Sequence, residues 1–171
     1  MDYQIDSRDR RTQEVRIGQN DQEVAAFRKV NFFIHNLRAN VGGLDYQLKH
    51  AAPWNGFRYQ LCQGNQVLAS ATRHRRMHAF EPDRPLIRHN LVEFHLDVSG
   101  GTLVLRPEDR HGSSYVLEEA GQQRGRLTNR PVEAQMGGSW QAELRTPDDW
   151  SVPLAAFVAW LARESRSRMG N

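Results

Sequence analysis

Cysteine is almost absent. Cys62 is the only one in 171 residues, so no intrachain disulfide can form, and a reducing compartment fits. Lysine is scarce too: of 23 cationic side chains only Lys29 and Lys49 are lysines, and the rest are arginines. Long hydrophobic runs are missing. The longest polar-free stretch is Val152–Ala162, 11 residues, where a bilayer needs about 20. The opening MDYQIDSRDRRTQEV has no apolar signal core. These absences predict a cytoplasmic protein. Hydrolase, zinc-protease and phosphate-loop signatures are lacking as well. His74 and His78 are four apart, but no cysteine or carboxylate cluster completes a zinc set. Glu118 and Glu119 are strand neighbours, so they face opposite ways and cannot act as a paired acid and base. Cys62 suits packing better than nucleophilic attack. The expectation is a chain with no catalytic site, metal or cofactor.

Period-two alternation is what the chain has in quantity. In Val92–Val98, residues Val92, Phe94, Leu96 and Val98 are apolar, while Glu93, His95 and Asp97 are polar. Phe57–Leu61 and Trp140–Arg145 follow the same rule, which marks half-buried antiparallel strands. Further strands are predicted at Glu14–Ile17, Val24–Val30, Phe32–Arg38, Tyr46–His50, Val67–Thr72, Thr102–Arg106, Tyr115–Glu119, Arg124–Leu127 and Val132–Gln135. Gly42-Gly43, Gly64-Asn65, Ser99-Gly100-Gly101, Ala120-Gly121 and Gly137-Gly138 supply hairpin turns. Residues 1–12 are highly charged and predicted to be loose, and 13–171 form one domain. A repeat is visible: Tyr59-x-Leu61 precedes Gly64 and Ala69 as Tyr115-x-Leu117 precedes Gly121 and Gly125.

One helix is predicted, about 152–165. Ser151 and the preceding aspartates offer N-terminal capping chemistry, Pro153 is tolerated in a first turn, and Arg163, Arg166 and Arg168 suit the negative end of the dipole. The helix has no polar face for three turns, so it must be enclosed on all sides. In an all-β chain this predicts a mainly β fold: a closed antiparallel β-barrel around one hydrophobic C-terminal helix.

The stretch Phe57–Arg166 resembles the tubby C-terminal-like superfamily, shared by tubby proteins, phospholipid scramblases and plant LURP-one-related proteins. Carrying the resemblance are Phe57-Arg58-Tyr59-Gln60-Leu61 with Gly64, Tyr115-Val116-Leu117 through Gly125, and Leu154–Leu161 as the central helix. It implies a binding module for anionic membrane phospholipid, peripheral at the membrane.

The densest cationic stretch is Arg73-His74-Arg75-Arg76, with Arg84 and Arg88 following. A solvated strand end or loop accounts for it. So does an anion site, because a guanidinium fork matches phosphate in bidentate fashion. Arg73, Arg75, Arg76, Arg84 and Arg88 are the candidate ligand-binding residues. The excess of arginine has the same two readings, with a GC-rich genome as the plain one. A second resemblance competes. Asp97-Val98-Ser99-Gly100-Gly101 is similar to the acidic-x-Ser turn of PilZ domains, with Arg84-x-x-x-Arg88 upstream, and implies cyclic di-GMP binding. That family has glycine where this chain has Thr102. A small enzyme or a ligand-free interaction protein is the remaining alternative. No base-stacking aromatics interleave with the arginines, so no specific nucleic-acid partner is expected.

Overall fold

The computed structural model describes residues 1–7, 14–31, 34–51, 58–78, 89–109, 111–130 and 140–167. Twelve strands pair in sequence order, and β1 (Asp2–Ser7) closes the ring against β12 (Trp140–Arg145). Between them run β2 (Val15–Gln19), β3 (Gln22–Asn31), β4 (Ile34–Val41), β5 (Leu44–Ala51), β6 (Arg58–Gln63), β7 (Gln66–His78), β8 (His89–Val98), β9 (Gly101–Pro107), β10 (Ser114–Glu119) and β11 (Gln122–Arg130). Every ladder is antiparallel, and closure leaves no free sheet edge. The helix α1 (Val152–Ser167) runs through the barrel. Its residues Ala155–Ala162 are buried without exception, and it contacts β2, β3, β6, β8 and β12, which lie around the ring.

The packing follows from residue size. Inward strand positions carry Ile5, Ile17, Phe27, Leu37, Leu48, Leu61, Phe94, Leu96, Leu105 and Leu144, all buried. Small residues on both partners, Ala155, Ala156 and Ala159 on the helix and Ala25, Ala69 and Ala71 on strands, let the helix approach the wall. Trp160 meets Tyr59 edge-on at 5.4 Å between ring centroids, and Tyr59 meets Phe94 at 5.3 Å. The Ser151 carbonyl accepts the Ala155 N–H at 3.1 Å and so begins the helix. Asp148 and Asp149 lie in the turn before it, not within its first turn. The Tyr3 hydroxyl donates to the Trp150 carbonyl at 3.1 Å, tying the entry of the helix to β1.

Two expectations change. Asp2–Ser7 lies in the segment expected to be loose, yet it forms β1. Tyr3 and Ile5 alternate with Asp2, Gln4 and Asp6, and both apolar side chains are buried. Strand β7, expected to end at Thr72, runs on to His78, so Arg73-His74-Arg75-Arg76 is strand backbone paired to β8, the strand end and not the loop of the two plain readings. The predicted strand Val132–Gln135 and turn Gly137-Gly138 lie outside the described residues.

The repeat extends to three copies. The ladders β2–β3, β6–β7 and β10–β11 each slip by one residue at the same place, after Ile17, Leu61 and Leu117. The bulged residues are Val24, Leu68 and Arg124. Each slip sits beside a matching buried pair with the preceding strand: Ile5 with Ile17, Leu48 with Leu61, and Leu105 with Leu117. The barrel is therefore three four-stranded units, β1–β4, β5–β8 and β9–β12. In the first unit Val15 replaces the tyrosine and Asn20-Asp21 replaces the glycine turn. Both of these turn residues have positive φ, at 51° and 61°, a region that Asn and Asp tolerate better than most residues.

Candidate functional site

Antiparallel order puts alternate connections at opposite ends of the barrel, and the two ends differ. At the end where α1 enters, the hairpins are two-residue turns: Asn20-Asp21, Gly42-Gly43, Gly64-Asn65, Ser99-Gly100 and Ala120-Gly121. At the end where α1 leaves, the longer connections begin and finish. Such segments on a rigid scaffold are where binding groups concentrate. The arginine-rich part of β7 points to this second end.

Arg73 and Arg75 share the inward parity of Ala69 and Ala71. They pair with the inward-facing Phe94 and Val92 of β8. Arg73 is half-buried, with its Nη1 wholly shielded. Arg75 is exposed at the lip. The last turns of α1 reach the same place, since the Ser165 hydroxyl donates to the Val92 carbonyl at 3.3 Å. Arg163, two residues earlier and therefore on nearly the opposite side of the helix, is half-buried, and burial pulls its guanidinium below the usual range against the opposing pull of Glu164. Below this lip the interior carries a polar layer. The imidazole of His50 stacks on Tyr59 at 4.8 Å, and His50 Nε2 and the hydroxyls of Tyr59 and Tyr115 are all buried. Arg73 and Arg75 are thus brought together. Arg76 follows on β7, on the opposite parity, and its side chain lies outside the described residues, as do Arg84 and Arg88.

Other arginines are occupied differently. On the outer wall, Arg106 grips Glu118 with two bonds, at 2.6 and 3.1 Å. Arg28 and Arg16 both bond Glu14, at 2.7 and 3.1 Å. Arg126 pairs with Glu108 at 2.9 Å, Arg124 with Glu119 at 3.2 Å, and Arg130 with Glu143. Much of the arginine excess therefore serves cross-strand pairing. Arg75 is different: no carboxylate among the described residues pairs with it.

Five carboxyls among the described residues are held below their ordinary range: Glu14, Asp109 and Glu118, and the more exposed Glu143 beside Arg130 and Asp148 beside the N-terminal ammonium. For Glu14, burial pushes the pKa up, but the bonds from Arg28 and Arg16 outweigh it. For Glu118 the Arg106 bond dominates. For Asp109 burial is again outweighed, here by N–H groups of Ser113, His111 and Ser114, which order the start of the β9–β10 connection. A folded pKa below the unfolded one adds stability above the unfolded value and loses it as pH falls. The ordinary values are 4.5 and 3.8. The melting temperature is therefore expected to hold from neutral pH down to about 5 and to fall steadily below about 4.5. Thermal unfolding across pH 3–7 checks this, and a flat profile through pH 3 would refute it.

The outer face of β7–β8 carries a second polar group. Thr72 Oγ1 lies 3.1 Å from His74 Nε2, the rings of His74 and His95 lie 4.1 Å apart, and His95 Nε2 lies 2.9 Å from the buried Glu93. His74 and His78 lie on a strand, not a helix, so four residues of extended backbone, about 13 Å, separate them. Among the described residues no three His, Cys, Asp or Glu side chains could together hold a metal ion. Asp97 accepts from the Thr102 hydroxyl at 3.3 Å and so closes its own hairpin. It stands eight residues along β8 from His89, about 27 Å in an extended strand. A dinucleotide site drawing on both Asp97 and the start of β8 would have to span that distance.

Sequence reasoning found Arg73 and Arg75 but missed the layer beneath them. His50 opposite Tyr59 is legible only once β5 and β6 are in register. Comparison of the chain with protein-family models, curated proteins and solved structures finds no match. Among the described residues no helix is long and apolar enough to cross a membrane.

Proposed function

We propose that this protein is a binding module, not an enzyme, and that it holds a phosphorylated or otherwise anionic ligand at the barrel end where α1 emerges. The observation that carries the reading is the position of Arg73 and Arg75: consecutive inward positions on β7, one half-buried and one exposed, at the level where Ser165 of the last helical turns meets Val92. Two guanidiniums at one lip can grip a phosphate through paired charge-assisted bonds. The barrel closed on a helix supports the tubby-like resemblance, and with it anionic phospholipid as the natural source of the phosphate and the membrane surface as the place of action.

The test compares the chain with an Arg73→Gln/Arg75→Gln double variant. Phosphatidylcholine vesicles with and without phosphatidylserine form one arm, and titration with a soluble inositol phosphate forms the other. Selective binding to the anionic vesicles is expected. The double variant should weaken it roughly a hundredfold, about tenfold per lost phosphate contact. Binding should also fall as salt rises. Binding of the soluble phosphate alone would keep the site and discard the lipid. Equal affinity of wild type and variant for every probe would end the proposal.

A further inference from the structure

The opposite end of the barrel has the reverse character. A cavity of about 480 Å³ opens there beside the start of α1, where Leu61, Leu68, Leu103, Trp150 and Leu154 share the lining with the polar Ser99, Glu119, Arg124, Asp149 and Ser151. That size lies within the range of pockets that receive a ligand group. The three exposed large hydrophobic residues among those described, Met1, Leu44 and Val67, all sit at this end, and the last two are 48% exposed. Gly64 N–H bonds the Asp45 carbonyl at 3.4 Å, which joins the turn carrying Leu44 to the turn before Val67.

Charge selects what could cover this surface. Asp149 lines the cavity, Asp97 precedes the lining turn at Ser99, and Asp45 follows Leu44. All three are exposed, and none has a cationic partner among the described residues. On the same rim Arg124 is neutralised by Glu119 at 3.2 Å. An anionic membrane would meet repulsion here. A second copy docked symmetrically would set like charges against each other. A basic amphipathic segment satisfies both features.

We propose that the mixed cavity at the tight-turn end docks a basic amphipathic segment of a partner protein, with an apolar side chain entering beside Trp150 and Leu154 and its Lys or Arg residues meeting Asp45, Asp97 and Asp149. The protein would then join an anionic ligand at one end to a basic partner at the other. This site and the arginine site share no residue, so either can fail without the other.

The probe is a synthetic helical peptide of leucine and lysine, with its leucine–glutamate counterpart as the control, titrated into isotope-labelled full-length chain. The lysine peptide should bind saturably and shift the amides of residues 42–45, 64–68 and 97–103. The glutamate peptide should not. Asp97→Asn with Asp149→Asn, which keeps an acceptor for the Thr102 hydroxyl, should weaken binding about tenfold while lowering the melting temperature by no more than about 4 °C. Val67→Glu should weaken it independently. Equal binding of both peptides, shifts centred on Arg73–Arg75, absence of saturation, or self-association of the chain through these same turns would overturn the proposal.

Discussion

Replacing Trp160 by Ala is expected to cost about 3–5 kcal/mol of stability and to lower the melting temperature by about 10 °C. Trp160 lies at the centre of the enclosed helix, edge-on to Tyr59 and 6.3 Å from Phe157 between ring centroids. A side chain truncated there leaves a void that neither the continuous sheet nor the helix backbone can collapse to fill. The loss should appear as a lower urea midpoint at unchanged slope. Glu143→Gln, on the exposed outer wall opposite Arg130, should stay within about 0.5 kcal/mol. A cost below about 1 kcal/mol for Trp160→Ala would show that the helix is not sheathed by the sheet.

The second large effect is expected at Gly125. A Cβ added there would stand 2.6 Å from the backbone oxygen of Arg145 and 3.1 Å from the Leu117 side chain. The first of these contacts is with β12 backbone, which cannot step aside without disturbing the ladder next to the helix entry. Gly125→Ala should therefore cost about 1–3 kcal/mol. Ala25 and Ala69 hold the matching positions in the other two units and keep their methyl groups inside the core. Ala69→Gly should cost no more than about 1 kcal/mol, from lost packing and greater freedom of the unfolded chain. Equilibrium unfolding of the two variants side by side checks the contrast, and a neutral Gly125→Ala would contradict the close approach of β11 to β12.

The two sites and the two stability effects rest on one architecture, and its parts were unequally legible. Alternation along β8 and β12 gave those strands directly, because a residue facing the helix must be apolar and its neighbour faces out. The apolar girth of Val152–Ala162 required enclosure, since no face of it could tolerate water. β1 was harder to see. Its six residues carry two apolar side chains among charges, and it persists because closure against β12 and β2 satisfies both of its edges. The third copy of the repeat was hidden for a similar reason: Val15 and Asn20-Asp21 fill roles held elsewhere by tyrosine and glycine.

The binding proposals divide along the same line. By itself the sequence determined that the chain is a β-barrel built on a buried helix, because period-two patterning and an all-apolar helix are local properties that each segment carries alone. Only the tertiary structure decided which arginines stand together and which are tied to carboxylates, because that depends on register between strands distant in sequence. It likewise decided that Asp45, Asp97 and Asp149 stand at the same end of the barrel as the cavity beside α1. Charge at a surface is a sum over neighbours, and neighbours across a barrel are set by closure rather than by sequence order.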